Sequence, residues 1–336
     1  MTATSIASVG DLALRHGGRL RDAQLAYVTY GTLAPDGRNA VLLTHGYTSS
    51  HRFADDGATE GSWAPLVGPG RAIDTDKLFV VSSNMLGSSF GSTGPASLDP
   101  ATGRAYGPDF PPITLGDIAG AQRRLLEQLG VRELVAVVGP SYGGFQAFAW
   151  GLEFPEMVRA LVPVTTAPRM AGGIAVEAMR RRLSADPRWR SGRYEPGALI
   201  DTMTAIRQDT LRRYGIEAIL AARTADPSDR ATTLQTIARA WAEVFDPHSL
   251  LVLGAAANEF DATQSFSRIR ARVLFILSTT DALFPPALAP EVMAGLRAAG
   301  VEATYQELES PYGHLAPGAD AAKWAPALTR FLAGLA

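Results

Sequence analysis

The sequence predicts an α/β fold with a mostly parallel central sheet, helices on both faces and an inserted helical lid. Three observations carry this expectation. Short apolar, β-branched runs alternate with helical patterns up to residue 167, as in sheets covered on both faces. Residues 168–267 then show no central strand and read as Ala- and Arg-rich helices. The β runs return at Arg272 and continue nearly to the end. The expected organisation is a core built from residues 1–167 and 268–336, with 168–267 inserted as the lid.

In chain order, residues 11–33 hold two alternating segments around Gly17-Gly18, the pattern of an antiparallel hairpin. Ala40–Thr44 is a buried strand running into His45-Gly46-Tyr47, and Leu78–Ser83 is the next β run. The Gly-, Ser- and Pro-rich stretch 87–112 reads as a long loop. Apolar spacing predicts a helix over 113–129, with Thr114 as N-cap and Gly130 as stop. The stretch VAVVGPSYGGFQAF, residues 135–148, reads as strand, very sharp turn and helix, with Ser141 at the apex. Ala160–Val164 is a further strand. Within 168–267, Asp186-Pro187, Glu195-Pro196-Gly197, Asp226-Pro227 and Asp246-Pro247 read as breaks between helices. Arg272–Ser278 and Ala303–Leu308 are late strands, and 322–335 closes the chain as an amphipathic helix.

Composition narrows the function. The chain has 336 residues, 46% hydrophobic content and a net charge of −2, so no basic field favours nucleic acid or an anionic membrane. It has no cysteine, which removes disulfides, thiol chemistry and thiolate metal sites. The start of the chain lacks the basic and continuous apolar regions of a signal peptide, and no apolar run approaches a membrane span. A cytoplasmic protein acting on a small molecule is the expectation. No HExxH is present, and His45 and His51 have no partner at a metal-ligand spacing. His16 and His248 read as surface or packing residues, and the arginines at 180, 181, 182, 188, 190 and 193 as a solvated face rather than an anion site.

Three strand ends supply Ser141, Asp281 and His314, in that order, along one edge of a parallel sheet. A serine hydroxyl alone is a poor nucleophile. An imidazole can take its proton and return it to the leaving group, and a carboxylate holds that imidazole in the productive tautomer. Ser…Asp…His is the chain order of the α/β-hydrolase fold, and GPSYG fits its nucleophile elbow. Gly46 follows a central strand beside the serine strand, so the backbone N–H groups of Tyr47 and Tyr142 are the candidate oxyanion hole.

Longer motifs add a resemblance. GPGRAID at 68–74, SNMLG at 83–87, GSTGP at 91–95, TGRAYGPDFP at 102–111 and GPSYGG at 139–144 together resemble the homoserine O-acetyltransferase family of α/β-hydrolase-fold proteins. The similarity runs from about Leu12 to Ala167 and from about Phe245 to His314. It implies double displacement, in which Ser141 takes an acyl group and an alcohol or water accepts it; a homodimer is a family expectation. Two departures bear on the acceptor. Transferases of this family follow the histidine with an aspartate that holds the homoserine amino group, where this chain has Leu315. They carry a carboxylate-reading arginine in a lid segment GLxxARM, where this chain has Thr202. Each such buried charged contact is worth on the order of 2 to 3 kcal/mol, so losing both disfavours homoserine.

The resulting expectation is a serine ester hydrolase of small acyl esters, acetates above all, without a cofactor. Tyr47, Tyr142, Tyr312, Leu315 and Thr202 are expected to give its pocket a weakly charged wall. The alternative is an O-acyltransferase using acetyl-CoA as acyl donor.

Overall fold

The computed structural model describes residues 3–55 and 61–335. The N-terminal hairpin consists of β1 (Ser5–Ala13) and β2 (Arg19–Tyr30), and its first strand starts earlier than the alternation suggests. There follow β3 (Ala40–Thr44), the short pair β4 (Val67–Gly68) and β5 (Ile73–Asp74), and β6 (Phe79–Ser83). Helix α1 (Leu115–Gln128) starts at Thr114, which exchanges hydrogen bonds with Asp117 in a capping box. Strand β7 (Leu134–Pro140), helix α2 (Tyr142–Glu153) and strand β8 (Ala160–Val164) complete the first part.

Among the described residues the main sheet has eight strands in the order β1-β2-β6-β3-β7-β8-β9-β10, where β9 is Arg272–Ser278 and β10 is Ala303–Leu308. Only the pairs made by β2 are antiparallel; every strand from β6 to β10 runs parallel to its neighbour. All five residues of β3 and of β8 are buried, because layers cover both faces of the sheet. Leu42 packs in the layer with α1 and α2, while Val41 and Leu43 pack with Trp63 and Trp324 on the other face.

Between β8 and β9 lie five helices: α3 (Val176–Ser184), α4 (Ile200–Arg213), α5 (Ile216–Arg223), α6 (Pro227–Ala242) and α7 (Pro247–Glu259). Two of the Asp-Pro breaks mark where helices begin. Asp226 and Asp246 cap α6 and α7 with their carboxylates, and the following proline takes the first helical position. The insertion has apolar clusters of its own, one around Trp189, Met203 and Trp241 and another around Leu211, Ile216 and Leu234. Helix α7 joins it to the core, with Leu250 and Leu251 facing the lid cluster and Leu253 and Ala256 the main core.

One helix escaped the sequence reading. Helix α8 (Ala289–Ala298) joins β9 to β10, and the prolines at 285, 286 and 290 disguise it as a loop. Pro290 falls in its first turn, where no intrahelical N–H is required. The short α9 (Ala316–Ala319) and α10 (Ala321–Ala333) close the chain. Among the described residues no helix is long and apolar enough to cross a membrane.

Candidate active site

The turn from β7 to α2 is as sharp as its glycines require. Ser141 adopts φ 56° and ψ −119°, a conformation that costs a non-glycine residue free energy. Its N–H donates to the Val164 carbonyl at 2.9 Å, and its own carbonyl accepts from the Thr166 hydroxyl at 2.8 Å. A Cβ at Gly143 would lie 2.2 Å from the Thr44 carbonyl oxygen, and one at Gly139 would lie 2.1 Å from Thr44 Oγ1. The strand, the helix and the end of β3 meet too closely there for any side chain. Ser141 itself keeps partial exposure at the apex.

Asp281 and His314 come together at the ends of β9 and β10. His314 Nδ1 lies 2.8 Å from Asp281 Oδ2, with the two side chains 5% and 0% exposed. Asp281 Oδ1 accepts the Leu283 N–H at 2.9 Å. Burial alone would raise this carboxyl. The adjacent His314, its hydrogen bond and the N–H groups of Leu283 and Phe284 outweigh burial and hold it below the ordinary carboxylate value. The imidazole packs against the rings of Tyr214, at 4.8 Å, and Phe284, at 5.8 Å. Ser141 and His314 line one pocket.

His45 shapes the neighbouring strand end. It is fully buried, its Nε2 accepts the Met85 N–H at 3.2 Å, and its Nδ1 lies 2.9 Å from the Gly46 carbonyl. Those partners assign the proton to Nδ1, and burial pulls the imidazole down to about 4, so it is neutral at neutral pH. Gly46 lies against Ser141, where an added Cβ would be 3.9 Å from the serine Cβ. The Tyr142 N–H is the first of its helix and therefore lacks an intrahelical acceptor. Among the described residues neither it nor the Tyr47 N–H donates to a backbone acceptor.

The pocket over Ser141 has a volume of about 60 Å³. Its wall includes Tyr47, Thr48, Phe53, Trp63, Tyr214 and Leu315, and among the described residues no Asp, Glu, Lys or Arg. Leu315 thus stands on the wall, and its side chain also packs against the Leu211 and Ile216 cluster of the lid.

Three expected wall residues lie elsewhere. The Tyr142 ring is buried, stacks on Tyr47 at 5.8 Å and gives its hydroxyl to the Leu253 carbonyl. Tyr312 packs between the lid cluster and the Trp324 layer. Thr202 donates to Asp186 Oδ2 at 2.8 Å and borders a separate hollow with Arg182 and Arg188. Sequence reasoning in turn missed Tyr214, Trp63 and Phe53, which reach the pocket from the lid and from the segment after β3. Only their apolar or aromatic character marked them, and that character equally suits a core.

Comparison with known proteins agrees with this architecture. A family profile described as alpha/beta hydrolase fold matches residues 39–318. A homoserine O-acetyltransferase of Symbiobacterium thermophilum is 38% identical over 332 residues, covering 90% of this chain and 87% of that protein. A homoserine O-succinyltransferase of Methylibium petroleiphilum is 34% identical over 344 residues, covering 94% and 89%. Among solved structures, an esterase superposes with a TM-score of 0.88 at 27% identity, covering 99% of this chain and 100% of that one.

Proposed function

The chain belongs to the α/β-hydrolase family, and from that premise we propose that it hydrolyses esters of small acyl groups through an acyl-Ser141 intermediate. His314 Nε2 takes the hydroxyl proton as Ser141 Oγ attacks the ester carbonyl, while Asp281 keeps the other proton on Nδ1 and balances the imidazolium. The Tyr47 and Tyr142 N–H groups receive the oxyanion. The C–O bond to the alcohol breaks, His314 returns the proton to the departing oxygen, and the acyl group stays on Oγ. A water molecule, deprotonated by His314, then attacks the acyl carbon. The acid leaves as the proton goes back to Ser141.

The observation that carries this reading is the pocket wall. A cavity of about 60 Å³ suits an acetyl-sized group, and its described lining offers no charged side chain to hold an ammonium or a carboxylate. A zwitterionic amino-acid acceptor would leave both charges uncompensated there. Leu315 stands where the resemblance expects an aspartate.

A second reading, acyl transfer from an acyl-CoA to an alcohol, is favoured by the names of the relatives at 38% and 34% identity. One assay separates the two: purified protein with a short-chain acetate ester alone, and with acetyl-CoA plus homoserine. Ester turnover without an acceptor, abolished by Ser141→Ala, is expected. Acetyl transfer to homoserine at a comparable rate would favour the second reading instead.

A further inference from the structure

Arg207 of α4 is an unusual residue to bury. It is 8% exposed, and among the described residues it forms no ion pair with a carboxylate. Its Nη1 donates to Thr48 Oγ1 at 2.6 Å, its guanidinium lies 5.1 Å from the Trp241 ring centroid, and its Nε is buried without a hydrogen-bond partner. Burial pulls the group down to about 10, opposed by the nearby Tyr214. An apolar side chain of similar length would fill this space without desolvating a charge. The contact with Thr48 is what an apolar residue could not supply.

That contact is one of several made by the lid on two consecutive residues. The Tyr47 hydroxyl donates to the Leu250 carbonyl of α7. Trp241 Nε1 of α6 donates to the Thr48 carbonyl at 2.9 Å, and Arg207 of α4 takes the Thr48 hydroxyl. Thr48 also faces the hydroxyl of Tyr214, whose ring packs on His314. Both Tyr47 and Thr48 lie on the wall of the Ser141 pocket. The loop that presents the Tyr47 N–H is therefore anchored from above by the lid and from below by β3.

We propose that Arg207 is a positioning residue, which by gripping Thr48 from the lid keeps the Tyr47 N–H aimed at the oxyanion beside Ser141. The inference rests on the acyl-serine reading above. It makes the lid a part of the oxyanion hole as well as its cover.

The test compares Arg207→Met, Arg207→Lys, Thr48→Val and the Arg207→Met/Thr48→Val double variant. Each is checked for folding by thermal unfolding, then assayed for kcat and KM on a short-chain acetate ester and for inhibition by an alkyl boronic acid, a mimic of the tetrahedral adduct. Removing an oxyanion donor outright costs ~10²–10³ in kcat, so misaiming one is expected to cost about tenfold or more, with KM changed by less than about twofold. Boronic acid inhibition weakens in parallel. Arg207→Lys, which keeps a donor, recovers part of the loss, and the double variant is no slower than the slower single, since both remove one contact. If Arg207→Met does not fold, Thr48→Val tests the same bond from the loop side. Folded variants with kcat within about twofold of the parent, or losses that multiply in the double variant, overturn the inference. Ser141→Ala is run alongside: turnover that survives it overturns the serine reading, whereas serine-dependent turnover indifferent to Arg207 overturns only the positioning role.

Discussion

Replacing Asp281 by asparagine isolates what the carboxylate does for His314. The two side chains have nearly the same shape, so the variant keeps the packing of a residue that is 2% exposed. The amide, however, must choose an orientation. At the Oδ1 position the Leu283 N–H, at 2.9 Å, requires an acceptor, and the Phe284 N–H also donates to this carboxylate. The asparagine oxygen therefore stays there, and its NH₂ group faces His314 Nδ1, 2.8 Å from the Oδ2 position. Nδ1 must then act as acceptor, which moves the imidazole proton to Nε2. In that tautomer the histidine cannot accept the proton of Ser141. Flipping the amide would leave the Leu283 N–H unsatisfied at ~1–3 kcal/mol. At 1.4 kcal/mol per factor of ten, that cost alone lowers kcat by ~5-fold to ~100-fold, and the same exchange in the general Ser-His-Asp scheme costs ~10⁴. The assay is steady-state hydrolysis of a short-chain acetate ester by protein whose thermal unfolding shows it folded. A folded Asp281→Asn protein with kcat within about threefold of the parent would refute the tautomer argument.

The same carboxylate sets a pH dependence. Its folded pKa lies below the unfolded value, so its contribution to stability is complete above about pH 4 and fades as pH falls through the folded pKa. The gap in thermal midpoint between the parent and Asp281→Asn should therefore shrink below about pH 4; a gap that widens there contradicts the assignment. Gly143→Ala should destabilise the protein by about 2 kcal/mol or more in a denaturant titration, since its Cβ would meet the Thr44 carbonyl oxygen at 2.2 Å and backbone cannot retreat cheaply. A cavity of about 60 Å³ should favour acetate over hexanoate esters by at least about tenfold in kcat/KM. Phe53→Ala, at a stability cost of about 3 kcal/mol, should narrow that ratio by opening the wall; an unchanged ratio would place the acyl group elsewhere.

Much of the core was legible because its strands are buried on both faces. Ala40–Thr44, Ala160–Val164 and Arg272–Ser278 are continuous apolar runs ended by Gly, Pro or polar residues, and their bounds coincide with β3, β8 and β9. Helix α1 was readable from its cap, and Ser141 from the glycines that a close approach to Thr44 demands. Asp281 and His314 could be paired because parallel strands deliver their ends to one edge. The lid gave far less. Its helices are amphipathic on more than one side, so pattern alone does not say which face of α4 meets the pocket. Thr202 and Arg207 lie five positions apart on that helix: the first faces Asp186 at the surface, the second is buried against Thr48. The solvated-face reading covers the arginines from 180 to 193, which are exposed, whereas nothing in the pattern marks Arg207 as buried.

The central claim is that water rather than an amino acid takes the acyl group from Ser141. Incubating the protein with a short-chain acetate ester and millimolar homoserine, and measuring free acetate against O-acetylhomoserine, tests it most directly. Acetate is the expected main product, with a split unmoved by homoserine concentration and both products lost in Ser141→Ala. O-acetylhomoserine rising with homoserine at the expense of acetate would contradict it.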